Sequence, residues 1–119
     1  MPNYMINATY SAGSWARLIR LADDRVKAVG ALMASLGGSV VDVYWEVSGR
    51  AVHAVVQLPD SAGATAVAGV LSQSGAFRDV GVQEVLTHDQ FTGVLKLAES
   101  VAGVYKVPGQ AVLEDQSSQ

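Results

Sequence analysis

The chain has 119 residues, half of them hydrophobic, with no Cys and a formal charge of −3. That length holds one domain around one core. Eight scattered Lys and Arg exclude the basic stripe of a nucleic-acid binder, and no apolar run approaches the roughly 18 residues that span a bilayer. Without Cys there is no disulfide, thiolate nucleophile or Cys-based metal site.

In chain order, Tyr4 to Tyr10 alternates and predicts a strand, with Tyr4, Ile6, Ala8 and Tyr10 on one face and Met5, Asn7 and Thr9 on the other. Two candidate N-cap serines, Ser11 and Ser14, precede a long helix. Its stripe is Trp15, Leu18, Ile19, Ala22, Val26, Val29, Met33 and Leu36. Asp23-Asp24 offers a second cap and a kink, and Gly37-Gly38 ends the helix. Ser39 to Val47 is the second strand, placing Val41, Val43, Trp45 and Val47 against Val40, Asp42, Tyr44 and Glu46. Ser48-Gly49 reads as a hairpin turn into the third strand, Ala51 to Leu58. Asp60 or Ser61 caps a helix over Ala64, Val67, Ala68 and Leu71, and Ser74-Gly75 closes it. Phe77 to Leu86 is the fourth strand, where Gly81 suggests a bulge. Thr87-His88-Asp89-Gln90 has the spacing of a capping box before a last helix that points Phe91, Val94, Leu95 and Ala98 inward. The domain runs over 1–109, and the polar tail over 110–119 is expected to be flexible.

The order βαββαβ plus a helix specifies an α+β, ferredoxin-like protomer with a four-stranded antiparallel sheet. The opening strand through Tyr10, Gly37-Gly38, the hairpin, Leu58-Pro59-Asp60 and Tyr105-Lys106-Val107-Pro108-Gly109 together resemble a GYD-domain protein of the dimeric α/β-barrel superfamily. The resemblance implies sheet-to-sheet pairing of two copies. It lends no settled activity, since the wider superfamily includes cofactor-free enzymes, haem proteins and non-catalytic effector-binding domains. The resemblance implies a Gly-x-Tyr-Asp motif in the hairpin, where this chain has Ser48-Gly49-Arg50-Ala51; counting back from Pro59 puts Ala51 at the Asp position, so either Gly49 has shifted by one or the motif is lost.

The candidate surface is the mixed sheet face, where Asn7, Tyr44, Glu46, His53 and Gln57 lie beside Met5, Val40 and Val55. Polar groups buried without partners cost about 1–3 kcal/mol each, so five on a dry face must bond something. Two readings stay open: a hydrogen-bonded subunit interface, or a ligand pocket. In the superfamily the pocket lies between sheet and helices, so the direction this face looks decides between them. A mid-strand imidazole at His53 suits a general base or an axial haem ligand, although a satisfied structural His is the commoner case. His88, inside the capping box, reads as an exposed helix-start residue.

Functionally, one hypothesis is a cofactor-independent isomerase, cyclase or monooxygenase on a small apolar molecule. His53 would then be its base, with Asn7, Tyr44, Glu46 and Gln57 holding substrate. The other is a non-catalytic ligand-binding or assembly module. Both expect no cofactor and no metal. The expected partner is a second copy of the chain, with a small organic ligand possible and neither nucleic acid nor membrane involved. Met1-Pro2-Asn3-Tyr4 lacks a secretory start, so a cytoplasmic setting is expected.

Overall fold

A computed structural model of the chain describes residues 1–22 and 24–109. Its elements run β1 (Asn3–Tyr10), α1 (Ala12–Leu21), α2 (Arg25–Ser35), β2 (Ser39–Trp45), β3 (Ala51–Gln57), α3 (Ser61–Gln73), β4 (Phe77–Val85) and α4 (His88–Val101). The four strands form one sheet in the order β2-β3-β1-β4 with every neighbouring pair antiparallel, the α+β fold expected. Residue 23 and the tail over 110–119 lie outside the described residues.

Two-residue alternation sorts the sheet. Tyr4, Ile6, Ala8 and Tyr10 of β1 are buried on the helix side, as are Ala54 and Val56 of β3. Met33 of α2 and Ala64 and Val67 of α3 close over them, with Leu58 completing the core. Caps fix where the helices start. Ser11 accepts from the Ser14 amide, Asp24 from Lys27 and Asp60 from Gly63.

The long helix predicted from the sequence is two. Ala22 adopts a left-handed conformation at φ 49 and Asp24 caps a fresh start. The break resets the helical phase, so Ile19, expected inside, is 66% exposed. At the far end of α2, the Gly38 amide donates to Met33 O and the Gly37 amide to Ala34 O, a Schellman closure with Gly37 at φ 78. A Cβ at Gly38 would lie 2.1 Å from Gln57 O, so only glycine lets the helix end pass β3.

Two irregularities re-aim residues. The β2–β3 register shifts between Val40 and Asp42, leaving Val40 opposite Val56 on the core side and Val41 exposed. That reverses the expected faces of both, because one inserted residue flips everything before it. The bulge expected at Gly81 falls instead between Phe77 and Asp79, opposite Thr9 and Tyr10. β2 also stops at Trp45, so Val47 belongs to an exposed hairpin loop closed by Gly49 N donating to Glu46 O.

The chain divides into two units, Met1–Val85 and the remainder from Leu86. In the second, α4 opens with the expected capping box: Gln90 N donates to Thr87 Oγ1 and Thr87 N to Gln90 Oε1. His88 is its first residue and is exposed. No residue of α4 is buried, and Phe91 is 48% exposed. None of the helices among the described residues is long and apolar enough to cross a membrane.

Glycine substitutions in α2 and just beyond it separate geometry from propensity. Gly38→Ala is expected to lower stability by about 1–3 kcal/mol or more through the clash with β3. Gly30→Ala, where a Cβ meets nothing within 4 Å, is expected to raise it by about 0.5–1 kcal/mol. Urea unfolding of the two variants checks both signs.

Candidate functional site on the outer sheet face

The sheet face away from α2 and α3 is a grid read directly from the register. One row runs Tyr44, His53, Asn7 and Gly81 across the four strands, and the next runs Asp42, Val55, Met5 and Gln83. A third carries Ser39, Gln57, Asn3 and Val85. Four of the five expected site residues, Asn7, Tyr44, His53 and Gln57, sit on these rows. Glu46 joins them from the start of the hairpin, its amide donating to Ala51 O.

Three of the five form one connected chain. His53 Nε2 lies 2.7 Å from Glu46 Oε2, and His53 Nδ1 lies 2.6 Å from Asn7 Oδ1. Asn7 Nδ2 donates to Gln83 Oε1 at 3.1 Å, extending the chain to β4. The imidazole therefore meets an acceptor at each nitrogen. Only the doubly protonated ring donates to both at once. A neutral ring reaches the same partners only if the Asn7 and Gln83 amides both turn over. The His53 side chain is about one-third exposed and that of Glu46 half exposed, so the contact between them is partly wet in the isolated chain.

Tyr44 and Gln57 stand apart from this chain. The Tyr44 hydroxyl donates to Asp42 Oδ2 at 2.6 Å, and Asp42 Oδ1 accepts from the Val43 amide. That hydrogen bond to Asp42, followed by the carboxylate's charge, raises the phenol above its ordinary range. Gln57 is four residues along β3 from His53, roughly 13 Å away at strand spacing, and opposite Ser39 and Asn3.

Asp42 and Gln83 complete the face, and the sequence reading chose neither. Asp42 alternates with Tyr44 and Glu46, a signal that was present. Gln83 was hidden by the weak alternation of β4, and only its register opposite Met5 places it beside Asn7. Gly81 sits opposite Asn7, where a Cβ would meet only Asn7 O at 4.0 Å, so this end of the row is open. Among the described residues no three His, Asp or Glu gather as a metal-holding group.

The sequence model of the GYD domain matches residues 4–95, from β1 into α4. The chain belongs to the GYD domain family. No curated protein and no solved structure matches it. In this GYD domain Ala51 lies opposite Thr9, and Glu46 pairs with it across the hairpin.

Breaking the Tyr44–Asp42 bond has a definite sign. The carboxylate accepts from the neutral phenol and repels the phenolate, so Asp42→Asn is expected to let Tyr44 lose its proton at lower pH, nearer the ordinary value of about 10. Tyrosine ring NMR across an alkaline titration reads the shift, and an unmoved Tyr44 would mean that Asp42 does not govern it.

Proposed function

We propose that this GYD domain is a homodimeric module that binds a small organic molecule, pairing through the outer sheet face and taking its ligand on the helix side. The observation carrying the pairing is that the polar side chains of the outer face bond to one another. Glu46, His53, Asn7 and Gln83 form one chain, and Tyr44 and Asp42 form a pair. Such a face loses water at low cost, because few groups are stranded without a partner. Met5 and Val55 between them supply the apolar contact. A sheet of four strands and seven to nine residues presents roughly 20 by 25 Å, about 1,000 Å² over two copies and so at the threshold for a specific interface.

A second reading keeps His53 as a general base with Asn7, Tyr44, Glu46 and Gln57 around a substrate. The Glu46 carboxylate at 2.7 Å favours it, since such a partner orients an imidazole. It requires one ring nitrogen to leave its partner before it can take a proton. It predicts that His53→Ala abolishes turnover of an identified substrate while leaving the dimer intact.

Sedimentation velocity tests the pairing. The wild-type chain is expected to run as a dimer at micromolar concentration. Val55→Glu, which sets a carboxylate beside Asp42 in the middle of the face, is expected to weaken association at least about tenfold, or about 1.4 kcal/mol, with an unchanged far-UV spectrum. A wild-type monomer, or a dimer indifferent to Val55→Glu, refutes pairing through this face. Native mass spectrometry of protein taken gently from cells reads the ligand half, as a mass retained on the folded chain.

A further inference from the structure

α4 carries an apolar face that the described residues leave bare. At 3.6 residues per turn, Phe91, Val94, Leu95, Ala98 and Val101 fall within one arc of about 120°. Asp89, Lys96 and Ser100 lie on the opposite side of the helix. Phe91, Val94, Leu95 and Val101 are each between 40% and 54% exposed. Helices shorter than about 12–15 residues are marginal in water, and packing of their apolar side supplies most of their stability. α4 has 14 residues, and its capping box secures only the first turn. The rest of its support must come from whatever covers the stripe.

Area points to the cover. The paired outer faces bury about 1,000 Å² over two copies, the least that a specific interface needs, whereas standard interfaces bury about 1,200–2,000 Å². A helix of 14 residues is about 21 Å long and its stripe about 10 Å wide, so two stripes laid together add about 400 Å². The total of about 1,400 Å² is that of an ordinary stable pair.

The stripe also fits a copy of itself. Phe91, Val94, Ala98 and Val101 are spaced by three and four, as along the seam of two packed helices. Laid antiparallel about residue 96, Phe91 of one copy meets Val101 of the other, and Val94 meets Ala98, so a larger side chain faces a smaller one in each layer. Laid parallel, Ala98 would face Ala98 across a gap, and the two helix dipoles would run side by side in the same sense. The antiparallel seam uses one patch on both copies, as a two-fold pair requires.

We propose that α4 pairs antiparallel with α4 of a second copy along this stripe, completing the dimer that the outer sheet face begins. The proposal rests on the pairing half of the function proposed above and adds a second contact to it. The chain has no Cys, so one introduced thiol reports on one position. Val94→Cys, within a turn of the midpoint, is expected to join two full-length chains through a short bismaleimide at micromolar concentration. Lys96→Cys, at the same level on the far side of the helix, is expected to stay unjoined. Val94→Glu, which retains good helix propensity, is expected to weaken association at least about tenfold in sedimentation velocity, with an unchanged far-UV spectrum.

Val55→Glu separates the two contacts. A dimer that Val55→Glu breaks but Val94→Glu leaves intact, with Val94→Cys unjoined, overturns the α4 pairing and keeps the sheet pairing. A wild-type monomer with Val94→Cys unjoined overturns both. Equal joining at Val94→Cys and Lys96→Cys marks chance collision and overturns the proposal. So does a tetramer that Val94→Glu splits into dimers, since α4 would then lie between pairs. Joining that appears only after removal of residues 110–119 gives the stripe to the chain's own end and overturns it as well.

Discussion

β1 hydrogen-bonds to β3 on one side and to β4 on the other, so its two-residue alternation sorts the whole sheet into two faces. Tyr4, Ile6, Ala8 and Tyr10 turn toward α2 and α3, and Met5, Asn7 and Thr9 turn away. A slip of one residue on either side would exchange the two sets, burying Asn7 among Met33 and Val67 and presenting Tyr10 to water. The outer face depends on this registry, since His53 meets Asn7 only because Asn7 is its direct cross-strand partner.

That outer face resolves a conflict between composition and burial. Half-polar surfaces make poor contacts when each polar group must shed water alone. Here the shedding is shared: Asn7 bonds the His53 ring on one side and Gln83 on the other. Glu46 supplies the negative end from the hairpin, directly across from Ala51. A carboxylate on β3 at position 51 would lie on the same face two residues from His53. In this chain the acid beside His53 comes from the other arm of the hairpin.

Alternation and punctuation made the fold legible. Tyr4 to Tyr10, Asp24, Gly37-Gly38, Asp60, Ser74-Gly75 and the Thr87–Gln90 box all mark real boundaries, because each carries its own local geometry. What the sequence concealed was how each shift of phase re-aims the residues around it. The insertion at Val41 swapped the faces of Val40 and Val41, and the break after Leu21 turned Ile19 outward. The site was legible to the same degree. Glu46, His53 and Asn7 share a face by parity, and parity survives the distance between them. Tyr44 was placed correctly, but its partner Asp42 is a same-strand neighbour that parity alone does not single out.

The hairpin between β2 and β3 ties the two sides of the sheet together. Trp45 and Glu46 are consecutive, the first stacked on Tyr10 toward the helices and the second bonded to His53 on the outer face. Gly49 closes the loop at φ 91, a conformation that strains any residue with a Cβ. It also lies under the Trp15 ring, where that Cβ would intrude. Arg50 then pins the hairpin to β1, its carbonyl accepting from the Tyr10 amide and its guanidinium donating to Tyr10 O. A displacement of this turn would therefore move the Glu46 carboxylate and the Trp45 ring together, because fewer than two residues of strand separate the tethers on opposite faces.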